Sequence, residues 1–274
     1  MLPRRPPLAI RPQPPRLPPA TLERLAARSP LLLCLDYDGT ISELVSRPSM
    51  AVPVAGAIEA VRAIAAHPTR AAVAIVSGRP VAQLREMTGL GREVMYAGVH
   101  GLEIALRDDA EVRTLGDAAH HLPELERVRA WLADNVPRDG GFEIEDKHLS
   151  VALHYRNADR TTAIALCRRF EEFVAAHAPH LHVAHNKLVV EAIPAAASKA
   201  TALRALSDAV GKAFEPVYFG DDRTDEDAFA ALEDGRGLGV LVGEARPSRA
   251  HFRVADPAAV ALLLERLARA LEAG

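Results

Sequence analysis

The sequence of 274 residues is poor in aromatic residues, in cysteine and in excess basic charge. Aromatic side chains make up 4% of it and the formal net charge is −3, so the sequence has neither the base-stacking platforms nor the basic footprint of a nucleic-acid-binding protein. Its two cysteines, Cys34 and Cys167, fall in a predicted core strand and in a predicted helix of a separate module. We therefore expect no disulfide and a reducing compartment.

Long apolar segments are also missing. No run is long enough to span a bilayer, and the first twenty residues lack the apolar stretch of a secretory signal. We therefore expect a cytoplasmic protein without a membrane partner. Eight prolines among these twenty residues prevent regular hydrogen-bonded structure, which predicts a disordered, proline-rich tail over residues 1–20.

One short apolar run ends in two aspartates. Leu31 to Leu35 has the continuous hydrophobic pattern of a fully buried strand in a parallel sheet. Asp36 and Asp38 then lie at the carboxyl end of this strand, where open α/β sheets bind ligands. Because they are two residues apart on an extended chain, their side chains can share one face and one cation. The alternative is a solvated turn with a helix cap.

A second apolar run, Pro216 to Phe219, precedes a dense acidic cluster. Five of the seven residues from Asp221 to Asp227 carry carboxylates, which repel one another unless a cation or basic groups lie nearby. Oxygen-only ligands of this kind suit Mg²⁺. A helix N-terminus that begins at Thr224, with acids in its first turn, is an alternative that is compatible with a metal site.

Two further positions follow predicted strands. Ser77, Gly78 and Arg79 come after the apolar run Ala71 to Val76, where a hydroxyl and free backbone amides form a cradle for phosphate oxygens or simply begin a helix. The run Lys187 to Ile193 is a further predicted strand, and Lys199, a few residues after it, opens a long helical pattern. Since a cation there opposes the helix dipole, we expect a strongly anionic partner for it.

In this order, the motifs resemble those of the haloacid dehalogenase superfamily of phosphotransferases. The motifs are DYDGT at 36–40, SGR at 77–79, Lys199 and GDDRTDE at 220–226. Within the superfamily the chain is similar to the trehalose-6-phosphate phosphatases. The segments that carry this narrower resemblance are GVHG at 98–101, EDKHLSVALHYR at 145–156, NKLVVE at 186–191 and GDDRTDEDAF at 220–229.

The resemblance implies an α/β fold, with a Rossmann-like, doubly wound parallel sheet in a core domain and an inserted small α+β cap domain. We assign residues 21–110 and 190–274 to the core and residues 111–189 to the cap. The interval between Ser77 and Lys199 is far longer than one strand–helix step, which also favours an insert. Its pattern predicts an αββαβ-like module.

The resemblance also implies a mechanism. Asp36 would be the nucleophile that takes the phosphoryl group, and Asp38 would be the general acid and base. Ser77 and Lys199 would hold and neutralise that group. Mg²⁺ would be bound by the Asp36 carboxylate, the backbone carbonyl of Asp38 and Asp221.

Other residues are given supporting roles by the resemblance. Asp222 and Asp225 would orient Lys199 or metal-bound water. The residues assigned to substrate binding are Gly39, Thr40, Gly78, Arg79, His100, Glu145, Lys147 and Glu191. The last three would hydrogen-bond sugar hydroxyls. For Glu145 and Lys147 the alternative is an exposed cross-strand charge pattern.

The implied activity is the Mg²⁺-dependent hydrolysis of trehalose 6-phosphate in trehalose biosynthesis, with a trehalose-6-phosphate synthase as a candidate partner. Two alternatives stay open. One is a phosphatase of another sugar phosphate, such as sucrose phosphate or a glycosyl-phosphoglycerate. The other is a non-catalytic sugar-phosphate-binding domain that partners a synthase. The intact set of Asp36, Asp38, Lys199 and Asp221 argues against it.

Overall fold

The computed structural model describes residues 12–45, 50–109, 111–116, 118–186, 188–232 and 236–273. The chain divides into two compact units. The core unit runs up to Arg113 and resumes at Ser198, and the inserted unit is Thr114–Ala197. In the described part of the chain, no helix is long and apolar enough to cross a membrane.

The core unit is built on an eight-stranded sheet. Its strands are β1 (Leu31–Asp36), β2 (Ala71–Val76), β3 (Met95–Gly98), β4 (Glu103–Ala105), β5 (Arg113–Thr114), β10 (Glu215–Gly220), β11 (Leu238–Val242) and β12 (Phe252–Val254). They are arranged in the order β12-β11-β10-β1-β2-β3-β4-β5. The strands from β12 to β3 are parallel, and β4 runs antiparallel to β3. The predicted α/β fold with a doubly wound, mostly parallel sheet is confirmed.

Helices cover both faces of this sheet. They are α1 (Thr21–Ala26), α2 (Ala57–Ala65), α3 (Val81–Thr88), α6 (Lys199–Val210), α7 (Asp225–Ala231) and α8 (Pro257–Glu272). Val217 belongs to the core that α2 and α8 help to form, whereas its neighbour Tyr218 packs edge-on against Phe229 of α7. Since successive strand residues point to opposite faces, these helices lie on opposite sides of the sheet.

The inserted unit has its own sheet and its own core. Its elements are α4 (Leu122–Asn135), β6 (Glu143–Asp146), β7 (Val151–His154), α5 (Arg160–His177), β8 (Leu181–Asn186) and β9 (Val189–Pro194). The four strands are antiparallel in the order β6-β7-β9-β8. A cluster of buried side chains from α4, α5 and the sheet, including Leu132, Leu153 and Phe170, forms the core of this unit.

The predicted domain boundary after residue 189 differs from the structure. It would cut β9, which pairs with both β7 and β8 and therefore belongs to the inserted sheet. The module is αββαββ rather than αββαβ-like, because the run that was expected to be a strand of the core is its last strand. Lys187, the first residue of that predicted strand, lies outside the described residues.

The prediction of a disordered tail up to residue 20 is wrong for its described second half. The backbone amide of Leu17 donates to the Arg253 carbonyl at 2.9 Å, and the amide of Arg253 donates to the Pro15 carbonyl at 2.8 Å. The side chain of Leu17 is buried in the core. Proline does not prevent this pairing, because at the edge of a sheet it still offers its carbonyl. Residues 1–11 of the predicted tail lie outside the described residues.

We expect Leu17→Ala to lower the free energy of unfolding by about 2 kcal/mol or more, because it leaves a cavity in the core. Leu262→Ala, at a position that is 59% exposed, is the matched control and should cost less than about 0.5 kcal/mol. Urea denaturation followed by circular dichroism measures both. Equal, small losses would show that Leu17 does not anchor the segment.

Candidate active site

The two acidic clusters meet at the point where the sheet reverses its strand order. From β1 the chain builds the sheet outward through β2 and β3, and it later returns to place β10 on the other side of β1. Leu35 of β1 lies opposite Phe219 of β10, so Asp36 and Asp221 leave the sheet at the same edge. Such a switch point is where open α/β sheets bind ligands.

Lys199 lies between two carboxylates in the interior of the core unit. Its Nζ is 3.0 Å from Oδ1 of Asp36 and 2.6 Å from Oδ1 of Asp225. All three side chains are buried. Burial lowers the pKa of Lys199, but the carboxylates of Asp225 and Asp36 outweigh it and raise the pKa above its ordinary value. The anionic partner that the position of Lys199 predicted is therefore this pair of aspartates.

The remaining carboxylates leave the site with an excess of negative charge. Oxygen atoms of Asp36, Asp221 and Asp225 lie within 4.8 Å of one another. Burial raises the pKa of Asp36, and although Lys199 lowers it, the neighbouring carboxylates help to hold it well above its ordinary value. Burial and the Asp225 carboxylate raise the pKa of Asp221 to about 7. One ammonium among three carboxylates leaves an electrostatic role for a cation.

Hydrogen bonding separates the roles of these three acids. Oδ1 of Asp225 accepts from Lys199 and, at 2.8 Å, from the Tyr218 hydroxyl, while its Oδ2 accepts from the amide of Asp222 at 2.9 Å. Both oxygens of Asp225 are therefore engaged by protein donors. Asp36 and Asp221 are the better candidates to bind a metal ion, and Asp225 holds Lys199.

Gly39 allows the loop that follows β1 to approach the loop that follows β10. A Cβ atom on Gly39 would lie 2.2 Å from Oδ2 of Asp221, and the φ of Gly39 is +77°. A side chain here would require a shift of the Asp221 carboxylate, and the positive φ would strain any other residue even after that shift. Gly39 thus acts through its missing side chain, which gives Asp221 its place beside the end of β1.

Asp38 is held by an arginine. Nε and Nη2 of Arg79 each donate to one carboxylate oxygen of Asp38 at 2.7 Å, and the guanidinium lies over the ring of Tyr37 at 5.6 Å from its centroid. Arg79 is buried and Asp38 is half-buried. This bidentate pair fixes the orientation of Asp38. In this structure Arg79, which the sequence assigned to substrate binding, contacts an acid of the site.

The residues after β2 form a compact turn beside a strained histidine. The Ser77 hydroxyl accepts from the amide of Arg79 at 3.2 Å, and the amide of His100 donates to the Ser77 carbonyl at 3.1 Å. His100 has φ 54° and ψ 33°, and a Cβ on Gly78 would lie 2.5 Å from its Nε2. The structure therefore brings Ser77, Gly78 and His100 together.

Thr40 and Asp222 differ in how they face the site. The hydroxyl of Thr40 is buried and has no hydrogen-bond partner among the described residues. Asp222 reaches the cluster through its backbone amide, which binds Asp225, whereas its side chain accepts from the amide of Arg223 at 2.7 Å. In this structure Asp222 is linked to Lys199 through Asp225, and its role in orienting Lys199 stays a prediction.

Sequence reasoning missed Tyr218. The run Pro216 to Phe219 was interpreted only as an apolar strand, yet the Tyr218 hydroxyl binds the same oxygen of Asp225 as Lys199 does. The available signal was a tyrosine in a predicted buried strand, three residues before the acidic cluster, since a buried phenol hydroxyl needs a partner.

A separate polar cluster lies on one face of the inserted sheet. Across three strands, Glu145 is paired with Ala152 and Ala152 with Glu191, so the two glutamates point to the same side. Nζ of Lys147 is 3.1 Å from Oε1 of Glu191 and 3.9 Å from Oε2 of Glu145. Glu191 also accepts from the Ser150 hydroxyl at 2.5 Å.

The burial of this cluster argues against a solvated charge pattern. The side chains of Lys147 and Glu191 are 9% and 1% exposed. Glu145 is 30% exposed, and its Oε2 lies 2.9 Å from Nε2 of His154. Burial raises the pKa of Glu145, but the contacts with His154 and Lys147 outweigh it and lower the pKa below its ordinary value. The cluster offers ionised groups that suit hydroxyl recognition.

Comparison with known proteins identifies the family. The sequence profile of the family described as "Trehalose-phosphatase" matches residues 34–258. The chain belongs to the trehalose-phosphatase family. It is 36% identical over 264 residues to the trehalose-phosphate phosphatase of Mycobacterium avium, which covers 91% of this chain and 65% of that relative. The chain thus spans slightly less than two thirds of the length of this relative.

Solved structures of the family have the same fold. The C-terminal domain of trehalose-6-phosphate phosphatase from C. albicans superposes with a TM-score of 0.82 at 23% identity, covering 93% of this chain and 99% of that one. The Aspergillus fumigatus trehalose-6-phosphate phosphatase, crystal form 3, gives a TM-score of 0.69 at 27% identity, with the same coverage of 93% and 99%. The site therefore lies in a fold that trehalose phosphatases share.

We expect Lys199→Met to lower the free energy of unfolding by about 3–5 kcal/mol, because it leaves buried carboxylates without their counter-ion. The pKa of Lys199 is raised above its ordinary value of 10.5, so its charge stabilises the fold below that pH and is lost only above it. The loss should thus be seen at both about pH 7 and about pH 9.

Urea denaturation in EDTA measures this loss without interference from divalent ions. Lys212→Met, which removes an exposed lysine of the same unit, is the matched control. A loss no larger than that of the control would mean that Lys199 does not hold the site together.

Proposed function

We propose that this chain hydrolyses trehalose 6-phosphate to trehalose and inorganic phosphate, as a step of trehalose biosynthesis. The observation that carries the proposal is the buried constellation of Asp36, Lys199 and Asp225 beside Asp221, in a chain of the trehalose-phosphatase family. A buried carboxylate next to an ammonium and a second acid suits nucleophilic attack on a phosphate monoester.

In the first step, Asp36 attacks the phosphorus atom and the bond between phosphorus and the sugar oxygen breaks. Asp38 donates a proton to the departing sugar oxygen. Lys199 neutralises the negative charge that gathers as the phosphate approaches Asp36, and the Ser77 hydroxyl binds a phosphoryl oxygen. The products are free trehalose and a phosphorylated Asp36.

In the second step, water hydrolyses the aspartyl-phosphate. Asp38 now takes a proton from the attacking water, so it acts as an acid in one step and as a base in the next. The bidentate contact with Arg79 orients Asp38 when its carboxylate is ionised, which is the form that accepts a proton. Phosphate leaves and Asp36 returns as a carboxylate.

A divalent cation fits the donor set of this site. The Asp36 carboxylate, the backbone carbonyl of Asp38 and the Asp221 carboxylate would hold it, and we propose Mg²⁺ because all three donors are oxygens. When bound, the ion would screen the nucleophile from the phosphate and stabilise negative charge on the phosphoryl oxygens. The excess of carboxylates over ammonium groups in the cluster supports this assignment.

We assign sugar recognition to Glu145, Lys147 and Glu191 of the inserted unit. Their charged groups form a connected, largely buried network that can hydrogen-bond a polyhydroxylated ligand. A sugar that leaves one of these groups unpaired binds less tightly, which provides discrimination between substrates. A synthase partner and a cytoplasmic location remain predictions from the sequence.

The purified chain should release phosphate from trehalose 6-phosphate faster than from sucrose phosphate, glucosyl-phosphoglycerate or glucose 6-phosphate. The reaction should stop in EDTA and resume when excess Mg²⁺ is added, because the carboxylates need a cation to approach phosphate. Phosphate release measures the rates. A preference for another sugar phosphate would transfer the proposal to that substrate, and binding without release would favour a non-catalytic domain.

Asp36→Asn provides the control for contaminating phosphatases. The amide keeps the shape of the side chain but is not a nucleophile, so turnover should fall about a thousandfold or more. Asp227→Asn, which changes an exposed acid of the same cluster, should retain activity. Normal turnover by Asp36→Asn would exclude the aspartyl-phosphate mechanism.

We expect Glu145→Gln to lower kcat/KM for trehalose 6-phosphate about tenfold or more, because a buried sugar hydroxyl loses a charged partner. Hydrolysis of p-nitrophenyl phosphate, which has no sugar, should change less than about twofold. Glu143→Gln, at an exposed position on the same strand, is the matched control. An equal loss with both substrates would place Glu145 outside sugar recognition.

A further inference from the structure

Arg246 lies outside all of the motifs, in the loop that follows β11, and it contacts the acidic loop that follows β10. Its Nη2 donates to the backbone carbonyls of Asp221 at 3.2 Å and of Asp222 at 2.9 Å. Its Nη1 forms an ion pair with Glu226 in the first turn of α7. One guanidinium thus ties together two consecutive carbonyls and the start of the next helix.

The ion-pair partner is itself held in place. Oε2 of Glu226 accepts from the backbone amide of Arg249 at 2.8 Å, so both ends of its carboxylate are engaged by the loop after β11. The side chains of Arg246 and Glu226 are 30% and 23% exposed. The loops that follow the parallel strands β10 and β11 are therefore joined by a partly buried charge pair and by hydrogen bonds to the backbone.

The contact with Arg246 constrains the Asp221–Asp222 segment, which is part of the cluster of carboxylates around Lys199. The Asp221 carboxylate packs against Gly39 on one side, and the Asp221 carbonyl binds Arg246 on the other. The amide of Asp222 holds Asp225, which in turn holds Lys199. A movement of the Asp221–Asp222 segment would therefore displace both a candidate metal ligand and a support of Lys199.

We propose that Arg246 is a positioning residue, which holds the Asp221–Asp222 segment in the conformation that binds the divalent cation. The proposal rests on the metal site of the proposed function. Arg246 acts through backbone carbonyls and Glu226, and it is given no contact with substrate. The forked guanidinium is suited to this role because one of its terminal nitrogens binds the two carbonyls while the other binds the carboxylate, whereas the donors of a lysine all come from a single nitrogen.

The test is direct binding of Mn²⁺, as the probe ion, to the purified chain. Electron paramagnetic resonance of Mn²⁺ measures the affinity. Arg246→Met, which keeps the apolar stem and removes the donors, should weaken Mn²⁺ binding about tenfold or more, as is typical for residues that support metal ligands. Arg246→Lys should weaken it by an intermediate factor. In turnover assays, the Mg²⁺ concentration for half-maximal rate should rise, while kcat at saturating Mg²⁺ should largely recover.

Arg266→Met is the matched control, since Arg266 forms an ion pair with Glu23 elsewhere in the core unit. It should leave Mn²⁺ affinity within about twofold of the unmodified chain, because it does not contact the acidic loop. Thermal melting in EDTA is measured for every variant. If Arg246→Met does not yield folded protein, Mn²⁺ binding is measured on Arg246→Lys and Glu226→Gln instead.

Two results would overturn the proposal. One is Mn²⁺ affinity of the Arg246 variants equal to that of the Arg266 control. The other is a loss of kcat that saturating Mg²⁺ does not restore, which would indicate a role other than positioning the metal loop. Because Mn²⁺ binding needs no turnover, failure of the unmodified chain to hydrolyse sugar phosphates would contradict the proposed function without deciding the role of Arg246.

Discussion

The core unit depends on a buried lysine that lies between two carboxylates. Lys199 comes from the first turn of α6, Asp36 from the end of β1 and Asp225 from the start of α7, so one ammonium joins three elements that are distant in sequence. Removing Lys199 would leave buried carboxylates without their counter-ion, which costs far more than the loss of an exposed ion pair. The site is therefore also a structural centre of the fold.

Stability and chemistry make opposite demands on this centre. A fold selected only for stability would balance the charges, but here burial and repulsion hold the pKa values of Asp36 and Asp221 above their ordinary range. The imbalance leaves an electrostatic role for a cation at this centre. Glycines make the crowding possible, since a Cβ on Gly220 would lie 2.2 Å from Cγ of Asp225.

The inserted unit contains a similar arrangement, in which a lysine of low exposure lies among carboxylates. Lys147 lies beside Glu191 and within 3.9 Å of Glu145, as Lys199 lies beside its two aspartates. Here the acids come from β6 and β9, which both pair with β7 between them, and their shared face follows from the register of these three strands. In both units a lysine of low exposure orders acidic side chains, and the surrounding elements decide which chemistry these acids can serve.

The sequence alone determined the strands that end at the site and the acids that follow them. Leu31–Leu35 and the acidic residues after β10 are local signals, because apolar runs and turn chemistry are read within a few residues. The tertiary structure decided the pairing of Leu17 with β12, the place of β9 in the inserted sheet and the contact of Arg246 with the acidic loop. Two of these contacts join segments that are distant in sequence, and β9 could have paired in either of the two sheets. Local periodicity does not specify which sheet edge or which carbonyl a segment will contact.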